Sequence, residues 1–289
     1  MLTGKSWVWL TTRASSGNLQ PRLDRWGRHM ITKAIKTDKI TAGAMDLFAL
    51  LDAFLPSLEE KSVLAISSKV VSLCEQNVVP MTDTDKETLM IQQSQLYLPA
   101  QLSKYGCHFT ITHNTLIAMA GIDESNGDGN YILWPKDPQQ TANSVRAYLQ
   151  KRFGLQYAGV IITDSASRPL RRGVGGISLA HSGFAALNDY VGKPDLFGRP
   201  FDVSQADIAG GLADAAVLQM GEGTEQTPLV VVNDLPFVTF QDHDPTPEEL
   251  APIKLSLGDD LFAPFLGSVD WQKGKQYQGD GAAPGQTTV

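Results

Sequence analysis

A chain of 289 residues is long enough for one large domain or two smaller ones with a substantial core, and its 42% of hydrophobic residues is ordinary for a globular protein. With 24 basic and 31 acidic residues the net charge is −7, which argues against a general nucleic-acid binder, because that needs a basic face to gather phosphates. Cys74 and Cys107 lie in apolar segments without Cys-x-x-Cys or Cys/His spacing, so they read as buried free thiols in a reducing cytoplasm, not as a disulfide or zinc framework.

Residues 1–29 hold Trp7-Val8-Trp9-Leu10, a run too short and too soon interrupted for a secretory signal core. They read as an extension or appended segment joined at Gly27-Arg28-His29-Met30, with 30–272 as the folded domain. No uninterrupted apolar run approaches the length of a transmembrane helix, so no membrane partner is expected. Asp46 opens a helical pattern with Leu47, Leu50, Leu51 and Phe54 on one face, stopped by Pro56. Ser62 to Ile66 reads as a strand, followed by Ser67 and Ser68 and a mixed apolar stretch through Val79. Residues 80–106 have weak periodicity, and His108–Ile111 and Leu116–Ala120 are two strand candidates. His108 and His113 read as strand or turn histidines and not as metal ligands.

GIDESNGDGN, 121–130, is a turn-forming run; Asp137 then caps a helix with Pro138 at its first position, an apolar face of Ala142, Val145, Leu149 and Phe153, and Gly154 beyond its end. Val160, Ile161 and Ile162 are adjacent β-branched residues, the pattern of a strand buried on both faces. Thr163, Asp164 and Ser165 would stand where that strand opens into a loop and offer hard oxygens to a divalent cation. Arg168, Arg171 and Arg172 add forked donors suited to phosphate or carboxylate oxygens, the candidate catalytic clamp. Gly175–Ala180 reads as another strand, and 188–199, dense in Gly, Pro and Asp, as a functional or interface loop. In the alanine-rich helix from Asp207 to Met220, Gly210 and Gly211 cost roughly 1 kcal/mol each against alanine, which predicts close packing against another backbone, a partner subunit's included. Pro228–Val232 is a buried-looking strand, Thr246, Pro247 and Glu249 form a capping box, and 273–289 reads as a disordered tail.

Asp123, Asp164 and Glu222 each stand just after an apolar segment. Gathered in one site they would repel by about 4 kcal/mol per pair at 4 Å in a partly screened environment, which a fold tolerates with cations between them. Oxygen ligands without a thiolate or histidine pair point to Mg2+ or Mn2+, and the glycines of MGEG, 220–223, would expose backbone N–H groups to phosphates. The alternative is that each acid caps or turns its own loop. Neither GxxxxGK[ST], nor GxGxxG after a strand, nor GxSxG occurs, which disfavours the two commonest nucleotide-loop classes and a serine hydrolase.

Five motifs together resemble the coenzyme F420:L-glutamate ligases, also called F420-0:γ-glutamyl ligases: SSKVVSLCE (67–75), AGIDESN (120–126), ITDSASRPLRRGVGG (162–176), LNDYVGKPDLFGR (187–199) and MGEGTEQTPLVVV (220–232). The resemblance covers roughly residues 33–234. It implies an α+β fold of two intertwined subdomains with mixed and antiparallel sheets, a homodimer, and GTP-dependent amide formation between an acceptor carboxylate and the amine of L-glutamate with Mg2+ or Mn2+, two ions in all. Carried over by position, Asp123 and Asp164 match metal-binding aspartates, Ser165 stands where a threonine ligand is common, and Glu222 matches the acid some members carry. Asn126, Ser67, Ser68 and the loop Met220, Gly221, Gly223, Thr224 to Thr227 match nucleotide contacts.

Departures bear on the substrate. Lys36-Thr37-Asp38-Lys39 replaces the family's early Gly-Leu-Pro-Leu loop, leaving Lys39 as the nucleotide contact there, and Leu73 stands where a lysine is usual. The branch resembles sequences labelled folate-metabolism γ-glutamate ligases, so the acceptor is F420-0 or a folate ending in glutamate. Two other function classes stay open: a non-catalytic nucleotide- or metal-binding homologue, and a metal-dependent phosphohydrolase using the same acids.

Overall fold

The computed structural model describes residues 29–277; the segment 1–28 and the outer tail lie outside the described residues. In chain order the elements are β1 (Ile31–Ile35), α1 (Leu47–Phe54), β2 (Ser62–Ser67), α2 (Ser68–Cys74), β3 (Val78–Pro80), α3 (Lys86–Gln93), β4 (Leu96–Tyr97), β5 (Phe109–Thr112), β6 (Thr115–Ala118) and β7 (Asn130–Ile132). They continue with α4 (Pro138–Phe153), β8 (Ala158–Ser167), β9 (Val174–Ser182), β10 (Leu187–Asp189), β11 (Gln205–Asp207), α5 (Ile208–Met220), β12 (Leu229–Asn233), α6 (Pro247–Leu250), α7 (Ala263–Leu266) and β13 (Gln272–Lys273).

The larger subdomain is a five-stranded sheet in the order β1-β12-β2-β8-β9, with β2 and β8 parallel and the other neighbours antiparallel. Successive strand residues point to opposite faces, and both faces here are covered. Leu64, Ile66, Val160 and Ile162 pack under α1, α2 and α4, while Val63, Ala65, Ile161 and Val230 pack on α5. That sandwich is why the apolar runs of β2, β8 and β12 do not alternate with polar residues. Helix ends follow the local chemistry: the Asp46 and Asp137 side chains accept from the backbone N–H of Ala49 and Gln140, and Gly154 closes α4 at φ 67°.

The chain leaves this sheet after α2, builds a smaller subdomain from residues 78–132, and returns through α4. That subdomain has a β3–β7 ribbon, α3, and a sheet in the order β13-β4-β5-β6 around a small core of Leu89, Met90, Ala120, Ile122 and Leu133. Because β13 comes from the far end of the chain, the two subdomains are interleaved in sequence, an α+β fold with one mixed and several antiparallel sheets. Among the described residues no helix is long and apolar enough to cross a membrane.

Three expectations are corrected. The strand β8 does not end at Ile162: its register shifts there, and it runs on to Ser167 paired with β9, so Asp164 and Ser165 lie in a strand beyond a bulge, which re-aims side chains. Gly210 faces the Asp207 cap carboxylate and Gly211 faces open space, so neither marks a close backbone approach within this chain; that approach is made by Gly176 of β9, where a Cβ would lie 2.3 Å from the Ala213 carbonyl oxygen of α5. The tail read from 273 onward begins inside the fold, since Lys273 pairs in β13 and the N–H groups of Gly274, Lys275 and Gln276 donate to carbonyls of residues 91–95.

Candidate functional site

The parallel pairing of β2 and β8 sets Ser67 opposite Thr163, so the carboxyl ends of both strands open side by side, the usual place for a ligand on such a sheet. Asp164 and Ser165 stand on one side and Ser67 with the first turn of α2 on the other. The loop after α5 forms a third wall, tied down by Thr227, whose hydroxyl donates to the Met220 carbonyl (2.7 Å), and by the Thr37 N–H, which donates to the Gln226 carbonyl (2.8 Å). The smaller subdomain supplies the fourth wall through Asp123, whose backbone exchanges two hydrogen bonds with Ile132 of β7.

These walls enclose a cavity of about 500 Å3, room for a small molecule. The four residues expected to ligate metal, Asp123, Asp164, Ser165 and Glu222, all line it, as do Lys39, Ser67, Asn126, Met220, Gly221, Gly223 and Thr224. Ser68 is buried beneath the lining. Arg168, Arg171 and Arg172 lie outside it: Arg168 pairs with Asp214 of α5 at 2.5 Å, and the other two are exposed in the turn between β8 and β9.

The two aspartates differ in surroundings. Asp123 is matched by Lys69, whose ammonium lies 2.6 Å from Oδ2 and 3.0 Å from the Ser125 hydroxyl; the Ser125 N–H donates to Oδ1 at 2.7 Å. Burial pushes the Asp123 carboxyl up, but the Lys69 ammonium and the Ser125 donors outweigh it and hold it below the ordinary carboxylate range. Asp164 has no cation of its own. Its Oδ1 accepts the Ser165 N–H (2.8 Å) and its Oδ2 the indole N–H of Trp134. Burial, with a smaller contribution from Asp123, pushes its carboxyl up to about 6 against the pull of those donors and of Lys69.

Across the cleft the Ser165 hydroxyl donates to Glu222 at 3.2 Å, and the Asn126 amide donates to the Gly223 carbonyl at 3.2 Å. Among the described residues no three His, Cys, Asp or Glu side chains stand close enough together to hold a metal ion jointly. The acids therefore share one cleft without forming one tight cluster, with Asp123 turned to Lys69 and Glu222 to Ser165.

Sequence reasoning misses Lys69, which lines the cleft, and Trp134, which is buried against the lining residue Asp164. Lys69 follows directly on Ser67-Ser68, and its signal is its place two residues beyond the end of β2. Trp134 lies 30 positions from its partner Asp164 and gives no local signal.

A family model for F420-0:Gamma-glutamyl ligase matches residues 34–234. The chain belongs to the F420-0:γ-glutamyl ligase family. Proteins named coenzyme F420:L-glutamate ligase are similar to it. That of Methanococcus maripaludis (strain S2) is 34% identical over 194 residues, 62% of this chain and 78% of the relative. That of Methanopyrus kandleri is 34% identical over 207 residues, 66% and 81%. That of Archaeoglobus fulgidus is 42% identical over 117 residues, 40% and 47%. Every residue lining the cleft falls within the span matched to the ligase family, whereas residues 235–277, which carry β13 back to the smaller subdomain, lie beyond it. Leu73 lines the cleft at the position where the family usually carries a lysine, and Lys39 and Lys69 are the lysines that line it.

Proposed function

We propose that this protein is a carbon–nitrogen ligase that joins the amine of L-glutamate to the terminal carboxylate of an acceptor, coenzyme F420-0 being the acceptor that the family's description favours. The observation that carries the reading is the convergence of Asp123, Asp164, Ser165 and Glu222 with the glycine loop 221–223 on one cleft. A carboxylate does not react with an amine at neutral pH without activation, so the reading includes a nucleoside triphosphate, GTP by family. An acceptor carboxylate oxygen attacks the γ-phosphorus and releases the diphosphate; the glutamate amine then attacks the acyl carbon of the resulting acyl phosphate, inorganic phosphate leaves, and the amine gives up a proton.

The donor set suits Mg2+ or Mn2+. It is all oxygen, and the Asp164 carboxylate has no ammonium of its own. Asp123, Asp164, Ser165 and Glu222 would hold the ions, which would offset the charge of the triphosphate. Lys69 serves the phosphates as a point charge, and Lys39, Ser67, Asn126 and Thr224 line the nucleotide's path. Arg171 and Arg172, outside the cleft, are assigned to the carboxylates of glutamate or acceptor; Arg168, held by Asp214, keeps their loop in place. The protein acts as a homodimer, a reading supported by the arm between β10 and β11, where Leu196 and Phe197 are 98% and 95% exposed.

The test is mass spectrometry of reactions offering F420-0 or a folate with glutamate and GTP or ATP. A glutamyl adduct of F420-0 with GTP is expected. Nucleotide binding without product would make the protein a non-catalytic homologue, and phosphate release without glutamate a phosphohydrolase.

A further inference from the structure

Trp134 is 6% exposed, in a cluster with Ile117 and Ala166 and with the ring of His113 at 6.1 Å. A buried indole needs an acceptor for its N–H, and this one uses a carboxylate that faces the cleft. Three features fix where that N–H points. The Asn77 amide donates to the Trp134 carbonyl at 2.7 Å, and the Leu133 N–H donates to the Asn77 carbonyl, which holds the backbone on both sides of the residue. Gly121, at φ 70°, leaves the space the indole fills: a Cβ there would lie 2.3 Å from the ring. The ring then reaches from the smaller subdomain to Asp164 on β8, so its hydrogen bond spans the seam on which the cleft opens.

We infer that Trp134 is a positioning residue that fixes the orientation of the Asp164 carboxylate for a divalent cation in the cleft. This rests on the metal-assisted reading above. An ionised carboxylate offers about four lone-pair sites; the indole N–H takes one on Oδ2 and the Ser165 N–H one on Oδ1. The carboxylate plane is thereby set before any ion arrives, and one lone-pair site on each oxygen stays free for it. Partners of this kind orient ligating groups, and their loss costs about 10–100-fold in metal affinity.

The experiment compares Mn2+ binding by the full chain and its Trp134→Phe variant, following free Mn2+ by electron paramagnetic resonance without nucleotide. Phenylalanine keeps most of the apolar volume and removes the N–H. The expected result is binding weaker by about tenfold or more with an unchanged far-UV circular dichroism spectrum; equal affinity overturns the inference. A parent protein that binds no Mn2+ refutes the metal-assisted reading itself, a different failure. A second measurement needs no variant. In 1H–15N spectra of the parent, which has five tryptophans, saturation with Mg2+ moves one indole N–H signal; if none moves, the inference is wrong even where Trp134→Phe fails to fold.

Discussion

The larger sheet and the smaller subdomain each bring one aspartate to the cleft, and they treat it in opposite ways. Asp123, on a turn of the smaller subdomain, is neutralised by Lys69 and by local Ser125 donors. Asp164, inside a strand of the larger sheet, is surrounded by packing, receives two N–H groups but no cation of its own, and is pushed up to about 6. The lesson concerns where charge imbalance is stored: a strand holds a half-buried carboxylate rigidly at the cleft wall, whereas a turn lets a flexible lysine find its acid. The seam between the two therefore carries an acid that an incoming cation would satisfy.

The largest expected effect comes from removing that acid. Asp164→Asn should lower turnover on the order of a thousandfold, since a ligand to a charge-stabilising ion supports several kcal/mol in the transition state; steady-state rates check this, and a loss below tenfold would put Asp164 outside the chemistry. Next comes one of the contacts that tie the two regions together. Gly121→Ala forces a side chain into a left-handed conformation and against the Trp134 ring, at a cost of about 3 kcal/mol from strain and overpacking, so the thermal midpoint and Mn2+ affinity should fall together.

A third prediction uses the larger sheet's other buried titratable group. Burial pushes His181 from 6.5 down to about 4, with Glu249 opposing weakly. The unfolded chain takes up that proton first, so stability is fully present above pH 6.5 and is lost as pH falls toward about 4, by up to about 3 kcal/mol. His181→Gln should flatten this part of the stability curve, measured by denaturant titration at several pH values. The smallest effect on stability belongs to the ion pair that Lys69 of α2 makes across the seam with Asp123. Lys69→Ala breaks a partly exposed pair worth about 1 kcal/mol or less, so the midpoint should barely move while nucleotide affinity drops.

The same contrast explains what could be read in the sequence. β2, β8, β12 and α4 announce themselves because long apolar runs and full caps are dictated by burial on two faces. The helix α3 stayed hidden in 80–106 because only Leu89 and Met90 of its eight residues are buried, too few for a period. The bulge after Ile162 has no marker of its own, so the sequence alone puts Asp164 and Ser165 in a loop. Gly210 has a local cause, the Asp207 cap carboxylate, where a distant one was expected. For the site, residue types and motifs named the acids, but pairings such as Lys69 with Asp123 and Trp134 with Asp164 are products of tertiary approach.

The central claim is that Asp123 and Asp164, from different subdomains, work on the same ion. A double-mutant cycle of Asp123→Asn and Asp164→Asn on Mn2+ affinity tests it most directly, because residues acting as a unit lose their contribution once. The account predicts that the double variant binds Mn2+ little worse than either single variant. Losses that simply add would mean two independent sites and contradict it.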